Sequence, residues 1–283
     1  MRAALENFAP RVRIECTDRR VRLIKLYEHP LSPYAQKVKI FLLEKGIPFE
    51  AQTPIGAGGV EPEFAQASPR GEVPMLVDGA TKIFDSTIIC EYLEDKYPAK
   101  PLRPISAEDR ARVRMLEDTL DTIYEGVTWA VFEIEGWGRA KGELKTVLLK
   151  RAAEQIANFN GWLERELGNR TYFNGDSFGW GDACAYPFVA GAAGQGNAPR
   201  GGSKLGAWLT RVMERPSVKR CISDIGAVSV GMGVETLQGM LKSGLFKREY
   251  RDHRLEWMMR SGGVEIVLEG MRQNNIRFSN EPS

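Results

Sequence analysis

The sequence predicts an α/β N-terminal domain followed by an all-helical C-terminal domain. Between residues 21 and 100, short segments alternate in the order β-α-β, a loop-bearing connection, and β-β-α. From Ser106 onward, apolar residues recur at helical spacing and no segment reads as a convincing strand. The length of 283 residues is enough for two domains that each bury their own core.

The chain divides into four parts on these patterns. Residues 1–20 form a leader without clear periodicity, and residues 21–100 form the α/β domain. Residues 106–230 form the helical domain, and residues 231–283 form a C-terminal helical extension. Within that extension, residues 251–260 are amphipathic and predict one more helix, which would cover a cleft or bind a partner.

Charge and cysteine content exclude several classes of protein. The 39 Lys and Arg residues nearly balance the 37 Asp and Glu residues, so nothing favours nucleic acid or an anionic membrane as a partner. No apolar stretch approaches the ~18 residues that a membrane span needs. The four cysteines form no CxxC pair and the two histidines, His29 and His253, are far apart, so we expect no metal site, no disulfide framework and a reducing cytoplasm.

The first unit is a strand, a turn and a helix. Residues 21–27 read as the strand, and residues 34–44 place apolar side chains at helical spacing before Gly46 ends the helix. The helix opens on Ser32-Pro33, which aims a hydroxyl along its N-terminus. Unpaired backbone N–H groups and the helix dipole favour an anion there. If that anion is a thiolate, the function of the chain is to bind and activate a thiol.

The remaining elements follow in order. In the α/β domain we expect a strand over 49–53, a glycine-rich loop over 55–60, a strand over 73–79 with a hairpin partner at 82–84, and a helix over 87–97. In the helical domain we expect helices over 111–129, 144–167, 182–193 and 205–213. The glycine-rich stretch 191–202 is interpreted as a flexible or ligand-facing loop.

Four motifs in this order resemble those of the cytosolic glutathione transferases. They are Ser32-Pro33-Tyr34-Ala35, the run Ser-Pro-Arg-Gly-Glu-Val-Pro at 68–74, Asp85-Ser86, and the run Gly-Asp-Ser-Phe-Gly-Trp-Gly-Asp at 175–182. The resemblance covers roughly residues 21–225. It implies a thioredoxin-like N-terminal domain, an all-helical C-terminal domain, glutathione as co-substrate, a role in detoxification, and a homodimer.

The resemblance places Ser32 at the position that contacts the glutathione sulfur. Omega-like members carry cysteine there, and a serine can donate a hydrogen bond but cannot form a mixed disulfide. Lowering a thiol pKa of ~8.5 by ~2 units needs ~2.7 kcal/mol, which a hydroxyl donor and a helix N-terminus can supply. The alternative is that Ser32 is only a helix cap. Tyr27 and Tyr34 lie nearby. They either contact the sulfur or the second substrate, or they are packing residues of the core.

The other motifs are implied to bind the rest of glutathione. Pro74 resembles the family's cis-proline, which turns the Val73 backbone toward the cysteinyl part of glutathione, with Glu72 just before it. Asp85 is expected to face the γ-glutamyl ammonium, while Ser86 takes the α-carboxylate. The alternatives are an ordinary trans-proline at an edge strand and a plain helix cap.

Three points stay open. The loop 55–61 carries no cation for the glycine carboxylate of glutathione, which leaves Lys45, Gln52 or Arg70. Asp182 is interpreted as structural, because it can bond back to the start of its helix although Gly179 offers no side-chain oxygen. Five aromatic residues are candidates for lining a pocket, although such residues are more often part of the core: Trp129, Phe132, Trp137, Tyr186 and Phe188.

The resemblance implies a glutathione transferase in which the glutathione thiolate attacks a small hydrophobic electrophile. A more particular variant is ether or thioether cleavage, because residues 85–95 resemble the matching stretch of bacterial glutathione-dependent β-aryl etherases. The alternative from another class is a non-catalytic regulatory protein that keeps the fold and the glutathione site. Thiol–disulfide exchange is disfavoured by serine in place of cysteine.

Overall fold

The computed structural model describes residues 23–56, 59–229, 233–243, 247–250 and 252–278. The predicted leader 1–20 and the first two residues of the predicted strand 21–27 lie outside these residues. The fold class is confirmed: a mixed sheet with helices precedes a helical domain. No helix among the described residues is long and apolar enough to cross a membrane.

A four-stranded sheet in the order β2-β1-β5-β6 forms the N-terminal domain. The first two strands are parallel, and the other two neighbouring pairs are antiparallel. The strands are β1 (Ile24–Tyr27), β2 (Phe49–Gln52), β5 (Met75–Asp78) and β6 (Thr81–Phe84). Since Tyr27 pairs with Met75 and Met75 pairs with Phe84, the end of β1, the start of β5 and the end of β6 meet at one edge.

Three helices and a small ladder complete this domain. The helices are α1 (Pro33–Lys45), α2 (Pro62–Ala67) and α3 (Ser86–Lys96). The expected loop at 55–60 contains two short antiparallel strands instead, β3 (Ile55–Gly56) and β4 (Gly59–Val60). The sequence missed α2 because six residues are too few to show a period. The hydroxyl of Tyr27 holds this helix by donating to Glu63 at 2.6 Å.

The second domain contains six α-helices among the described residues up to 229. They are α4 (Ala107–Thr119), α5 (Glu125–Glu135), α6 (Gly142–Leu167), α7 (Trp180–Gly194), α8 (Lys204–Met213) and α9 (Pro216–Ser229). The helix expected over 111–129 lies inside one helical run from Ala107 to Glu135, in which an unpredicted π-helical turn (Leu120–Tyr124) separates α4 from α5. The expected loop over 191–202 begins only after Gly194, and α9 was not predicted.

The C-terminal region forms more structure than the one helix that its sequence predicts. That helix is present as α11 (Asp252–Arg260). The remaining elements are α10 (Val234–Lys242), β7 (Arg248–Glu249), α12 (Val264–Arg272) and β8 (Ile276–Arg277). The two short strands pair in parallel, which brings the segment between α10 and α11 beside the segment that follows α12.

A continuous apolar core joins the two domains. Phe41 of α1 meets Trp180 of α7 edge-on, with ring centres 4.9 Å apart, and both side chains are buried. The N-terminal helix α1 therefore packs on the sheet with one side and on the helical domain with the other. The turn before α1 therefore lies close to where the two domains meet.

Candidate functional site

Ser32 lies at the end of the turn between β1 and α1, and it caps the helix. Its Oγ accepts the N–H of Ala35 at 3.3 Å, and its own N–H donates to the carbonyl of His29 at 2.8 Å. Within the part of the chain that the structure describes, its hydroxyl hydrogen is donated to no protein acceptor. The cap and a donor role toward a ligand are therefore compatible, because the cap uses only the oxygen lone pair.

The loop before β5 presents the Val73 backbone at the same sheet edge. The Val73–Pro74 peptide bond is cis, so the predicted cis-proline is present. Ser68 fixes the loop, because its hydroxyl donates to the carbonyl of Glu72 and accepts the N–H of Glu72, both at 3.3 Å. Met75 follows directly and pairs with β1, which brings this loop beside the turn that carries Ser32.

Asp85 and Ser86 open α3 at the third segment of this edge. Asp85 has a φ of 75°, and its Oδ1 accepts the N–H groups of Thr87 at 3.0 Å and Ile88 at 3.3 Å. Its Oδ2 lies 3.5 Å from Nη1 of Arg70. Ser86 occupies the first helical position and is buried. A carboxylate and a hydroxyl thus stand together at the positive end of a helix dipole, which suits a zwitterionic group.

Tyr34 and His29 have partners within the protein. The Tyr34 hydroxyl donates to the carbonyl of Asp121 at 2.6 Å, and its ring meets Phe188 edge-on at 5.7 Å. Burial raises the pKa of Tyr34 well above its usual value. Nδ1 of His29 accepts the N–H of Leu31 at 3.3 Å, and burial lowers the pKa of His29, so the ring is neutral at pH 7.

A buried ion network, which sequence reasoning missed, lies behind the site. Lys37 of α1 donates to Glu117 at 2.8 Å and to Asp121 at 2.6 Å. Glu117 also accepts from the Thr87 hydroxyl at 2.8 Å and from the indole N–H of Trp180 at 2.7 Å. Burial alone would lower the pKa of Lys37, but the two carboxylates outweigh it and raise that pKa. Burial raises the pKa of Asp121 to about 6.

Two family models match this chain in the same two domains. The model described as glutathione S-transferase, N-terminal domain, matches residues 26–101, and the C-terminal domain model matches residues 146–211. Glutathione S-transferase U28 of Arabidopsis thaliana is 30% identical over 66% of this chain and 83% of its own length. The chain belongs to the glutathione S-transferase family.

Other proteins match over a similar share of the chain. A stringent starvation protein A homolog of Haemophilus ducreyi is 26% identical, and the match covers 71% of this chain and 90% of the relative. The solved glutathione S-transferase of Rhodospirillum rubrum has a TM-score of 0.61 at 27% identity, covering 71% and 92%. Rice GST1, solved with glutathione, has a TM-score of 0.60 at 25% identity, covering 74% and 96%. Glutathione is the co-substrate of the family.

The contacts of Lys45, Arg70 and Gln52 decide which of them can bind the glycine carboxylate of glutathione. Lys45 is buried and donates to Glu94 at 2.7 Å, so it cannot turn to a ligand and that candidate is wrong. Arg70 stands beside Asp85, the residue expected to bind the opposite, γ-glutamyl end of glutathione. Gln52 remains, because it ends β2 opposite Tyr27 and is only half-buried.

The five aromatic candidates for lining a pocket are all buried or half-buried. Tyr186 and Phe188 are buried in α7. Trp129 meets Tyr250 of the C-terminal region edge-on, with ring centres 4.7 Å apart. Trp137 and the half-buried Phe132 pack with side chains of α10. These rings therefore belong to the core or lie beneath the C-terminal region.

Asp182 and the described cysteines are part of the protein interior. Asp182 accepts from the backbone N–H of Gly179 at 3.0 Å and from the indole N–H of Trp208 at 2.7 Å, which agrees with its structural interpretation. The described cysteines are buried free thiols whose pKa values burial raises: Cys90, Cys184 and Cys221. No group of three His, Cys, Asp or Glu residues in the described ranges is placed to hold a metal ion.

Proposed function

We propose that this chain is a glutathione transferase in which Ser32 activates the glutathione thiol for attack on a small, largely apolar electrophile. The observation that carries the proposal is the position of the Ser32 hydroxyl. It lies at the N-terminus of α1, at the sheet edge shared with Val73–Pro74 and Asp85-Ser86. Because the hydroxyl already accepts from Ala35, its hydrogen is free to point to a sulfur.

The binding mode follows from the same edge. The outward backbone of Val73 pairs with the cysteinyl unit, and Glu72 belongs to the loop that holds it in place. Asp85 attracts the γ-glutamyl ammonium, and the α-carboxylate binds at the Ser86 hydroxyl and the start of α3. Tyr34 contributes its ring as a wall, since its hydroxyl is bonded to Asp121.

The chemical step requires the thiolate. The hydroxyl of Ser32 donates to the sulfur, and the helix N-terminus adds positive potential, so the thiol proton passes to solvent at lower pH. The thiolate then attacks an electrophilic carbon and forms a C–S bond. The leaving group departs with its bonding electron pair. Ether cleavage uses the same step with an alkoxide or phenoxide as leaving group, and product analysis with an aryl ether separates the two reactions.

Conjugation of glutathione with an activated aryl halide tests the proposal. We expect Ser32→Ala to lower kcat/KM about fiftyfold near pH 6.5, because the thiol pKa returns toward ~8.5. The matched control is Ser106→Ala, which removes the equivalent cap of α4, where Ser106 accepts the N–H of Asp109 at 3.0 Å. Turnover that Ser32→Ala leaves unchanged would contradict the role of this hydroxyl.

The alternative is a non-catalytic glutathione-binding protein of the same fold. Two observations support this alternative. Relatives named stringent starvation protein A homolog match most of the chain, and Tyr250 of the C-terminal region packs against Trp129, one of the candidates for lining a pocket. This alternative predicts that glutathione binds and that no activated electrophile is turned over. Calorimetry and the conjugation assay on one preparation distinguish the two functions.

We also propose that the protein is a cytoplasmic homodimer. The apolar side chains of Ile88, Met115 and Ile123 are more than half exposed on α3, α4 and the π-helical turn. A second copy of this chain would remove them from water. Free, buried cysteines suit a reducing compartment. Light scattering tests the dimer, and Met115→Lys is expected to shift it toward monomer.

A further inference from the structure

A second buried ion cluster lies on the opposite side of α1 from any contact with glutathione proposed above. Lys39, in the second turn of α1, donates to the carboxylate of Glu28, the residue that follows β1. It also pairs with Asp224 of α9 at 2.7 Å. Glu28 and Lys39 are buried, and the side chain of Asp224 is 21% exposed. We call these three residues the Lys39 cluster.

Lys39 stays charged although little water reaches it. Burial lowers the pKa of Lys39, but its hydrogen bonds to Asp224 and Glu28 outweigh burial and raise that pKa. At Glu28, burial outweighs the opposing effect of Lys39 and raises the pKa of the carboxyl. Without the ammonium group, this carboxyl would take up a proton or turn toward water. The position of the Glu28 side chain therefore depends on Lys39.

Glu28 begins the short segment that leads from β1 to Ser32. At the end of this segment, the N–H of Ser32 donates to the carbonyl of His29 at 2.8 Å. In its middle, the side-chain amide of Gln36 in α1 donates to the carbonyl of Pro30 at 2.9 Å. The segment is thus attached to α1 in its middle by Gln36 and at its start by the Lys39 cluster. A change at Glu28 is passed on over four residues to the Ser32 hydroxyl.

Asp224 connects this segment to the helical domain. It lies on α9, and Arg220, one turn earlier on the same helix, pairs with it at 3.1 Å. Its carboxylate therefore lies between the exposed Arg220 and the buried Lys39. Because Lys39 bonds Asp224 and Glu28 at the same time, the position of α9 influences where the segment before Ser32 begins.

We propose that the Lys39 cluster positions the Ser32 hydroxyl toward the glutathione sulfur. Asp224 fixes the ammonium group of Lys39, and Lys39 fixes Glu28 at the start of the segment that ends in Ser32. The three residues are positioning residues, because they act through Ser32. The inference rests on the proposed function, since it needs the Ser32 hydroxyl to donate to the sulfur. It gives α9 a part in activating the thiol.

Asp224 distinguishes positioning from a direct effect of charge. A negative charge disfavours a thiolate, so removing the Asp224 carboxylate would lower the thiol pKa if charge alone acted on the sulfur. If Asp224 acts by positioning, its removal loosens Lys39 and Glu28, and the Ser32 hydroxyl loses its alignment. The thiol pKa then rises. The two explanations predict opposite signs for Asp224→Ala.

The ionisation of glutathione bound to the full-length protein measures this sign. Ultraviolet absorbance of the thiolate against pH gives the thiol pKa in the wild type, Asp224→Ala and Lys39→Met, and calorimetry checks that each binds glutathione. The matched control is Glu44→Ala, which removes a carboxylate from the other end of α1. There Glu44 pairs with Arg215 at 2.6 Å, directly before α9.

We expect the thiol pKa to rise by about 0.5 units in Asp224→Ala and by about 1 unit in Lys39→Met. These rises should lower kcat/KM for conjugation near pH 6.5 about threefold and about tenfold. Glu44→Ala should keep the wild-type thiol pKa. In a Ser32→Ala background, Asp224→Ala should have no further effect, because the hydroxyl that the Lys39 cluster positions is absent.

An unchanged or lowered thiol pKa in Asp224→Ala overturns the positioning role. Because Asp224 is partly exposed, this variant is expected to fold, and it decides if Lys39→Met does not fold. A further rise of the thiol pKa in the Ser32→Ala background also contradicts the proposal. If Ser32→Ala alone leaves the thiol pKa at its wild-type value, the proposed function fails instead, so the two failures are distinguishable.

Discussion

Lys37 of α1 and Glu117 of α4 form an ion pair at 2.8 Å in which both side chains are buried. The pair joins the two domains directly behind the proposed glutathione site. Glu117 also accepts from the hydroxyl of Thr87, the residue after Ser86. The start of α3, where the γ-glutamyl end is proposed to bind, is therefore positioned by a charge network anchored in the helical domain.

Replacing Lys37 by Met should destabilise the protein strongly. The substitution keeps the length of the side chain but leaves Glu117 and Asp121 without their cation, and breaking a buried pair in this way costs about 3–5 kcal/mol. Denaturant unfolding measures the effect. The exposed pair of Lys219 and Glu214 gives the control, since Lys219→Met should change the free energy of unfolding by less than about 0.5 kcal/mol. Equal losses in both variants would contradict the network.

Replacing Asp85 by Asn separates ligand binding from helix capping. Asparagine caps helices as well as aspartate and tolerates the φ of 75°, so the free energy of unfolding should change by less than about 0.5 kcal/mol. The ammonium of glutathione loses its charged partner, which should raise the Kd about tenfold. Calorimetry measures the Kd, and Asp109→Asn at the start of α4 is the control. An unchanged Kd would remove Asp85 from the site.

Acid should weaken the contact between Glu125 of α5 and the helix α11, which carries Arg254 and His253. Burial raises its pKa, but Arg254 and His253 outweigh burial and lower it to about 2. The stabilisation is therefore present above the unfolded-state pKa of 4.5 and is lost as the pH falls toward about 2. Between pH ~5 and ~3, this amounts to about 2 kcal/mol.

Denaturant unfolding across this pH range measures the loss. The variant Glu125→Gln should be less stable at neutral pH and should lack this part of the acid dependence. Glu214→Gln, on the surface, should keep the wild-type slope. If the free energy of unfolding of Glu125→Gln falls with pH as steeply as that of the wild type, the Glu125 carboxyl does not stabilise the contact with α11.

The strands and helices around the proposed glutathione site could be predicted from sequence because their signals are local. Ser32-Pro33, Val73-Pro74 and Asp85-Ser86 are turn and cap signals, and each is complete within two neighbouring residues. The π-helical turn and the path of the C-terminal region were not predictable in this way, because they depend on packing between distant segments. The burial of Lys37 could have been predicted from sequence. Position 37 lies on the same side of α1 as the apolar residues Tyr34, Val38 and Phe41, and that side faces the core.

The ionisation of bound glutathione tests the central claim most directly. Ultraviolet absorbance of the thiolate, followed against pH with the enzyme in excess, gives the thiol pKa in the wild type and in Ser32→Ala. We expect a pKa lowered by about 2 units in the wild type and returned to ~8.5 in Ser32→Ala, with glutathione still bound in both. The same pKa in both proteins would contradict the assignment of Ser32 as the thiolate donor.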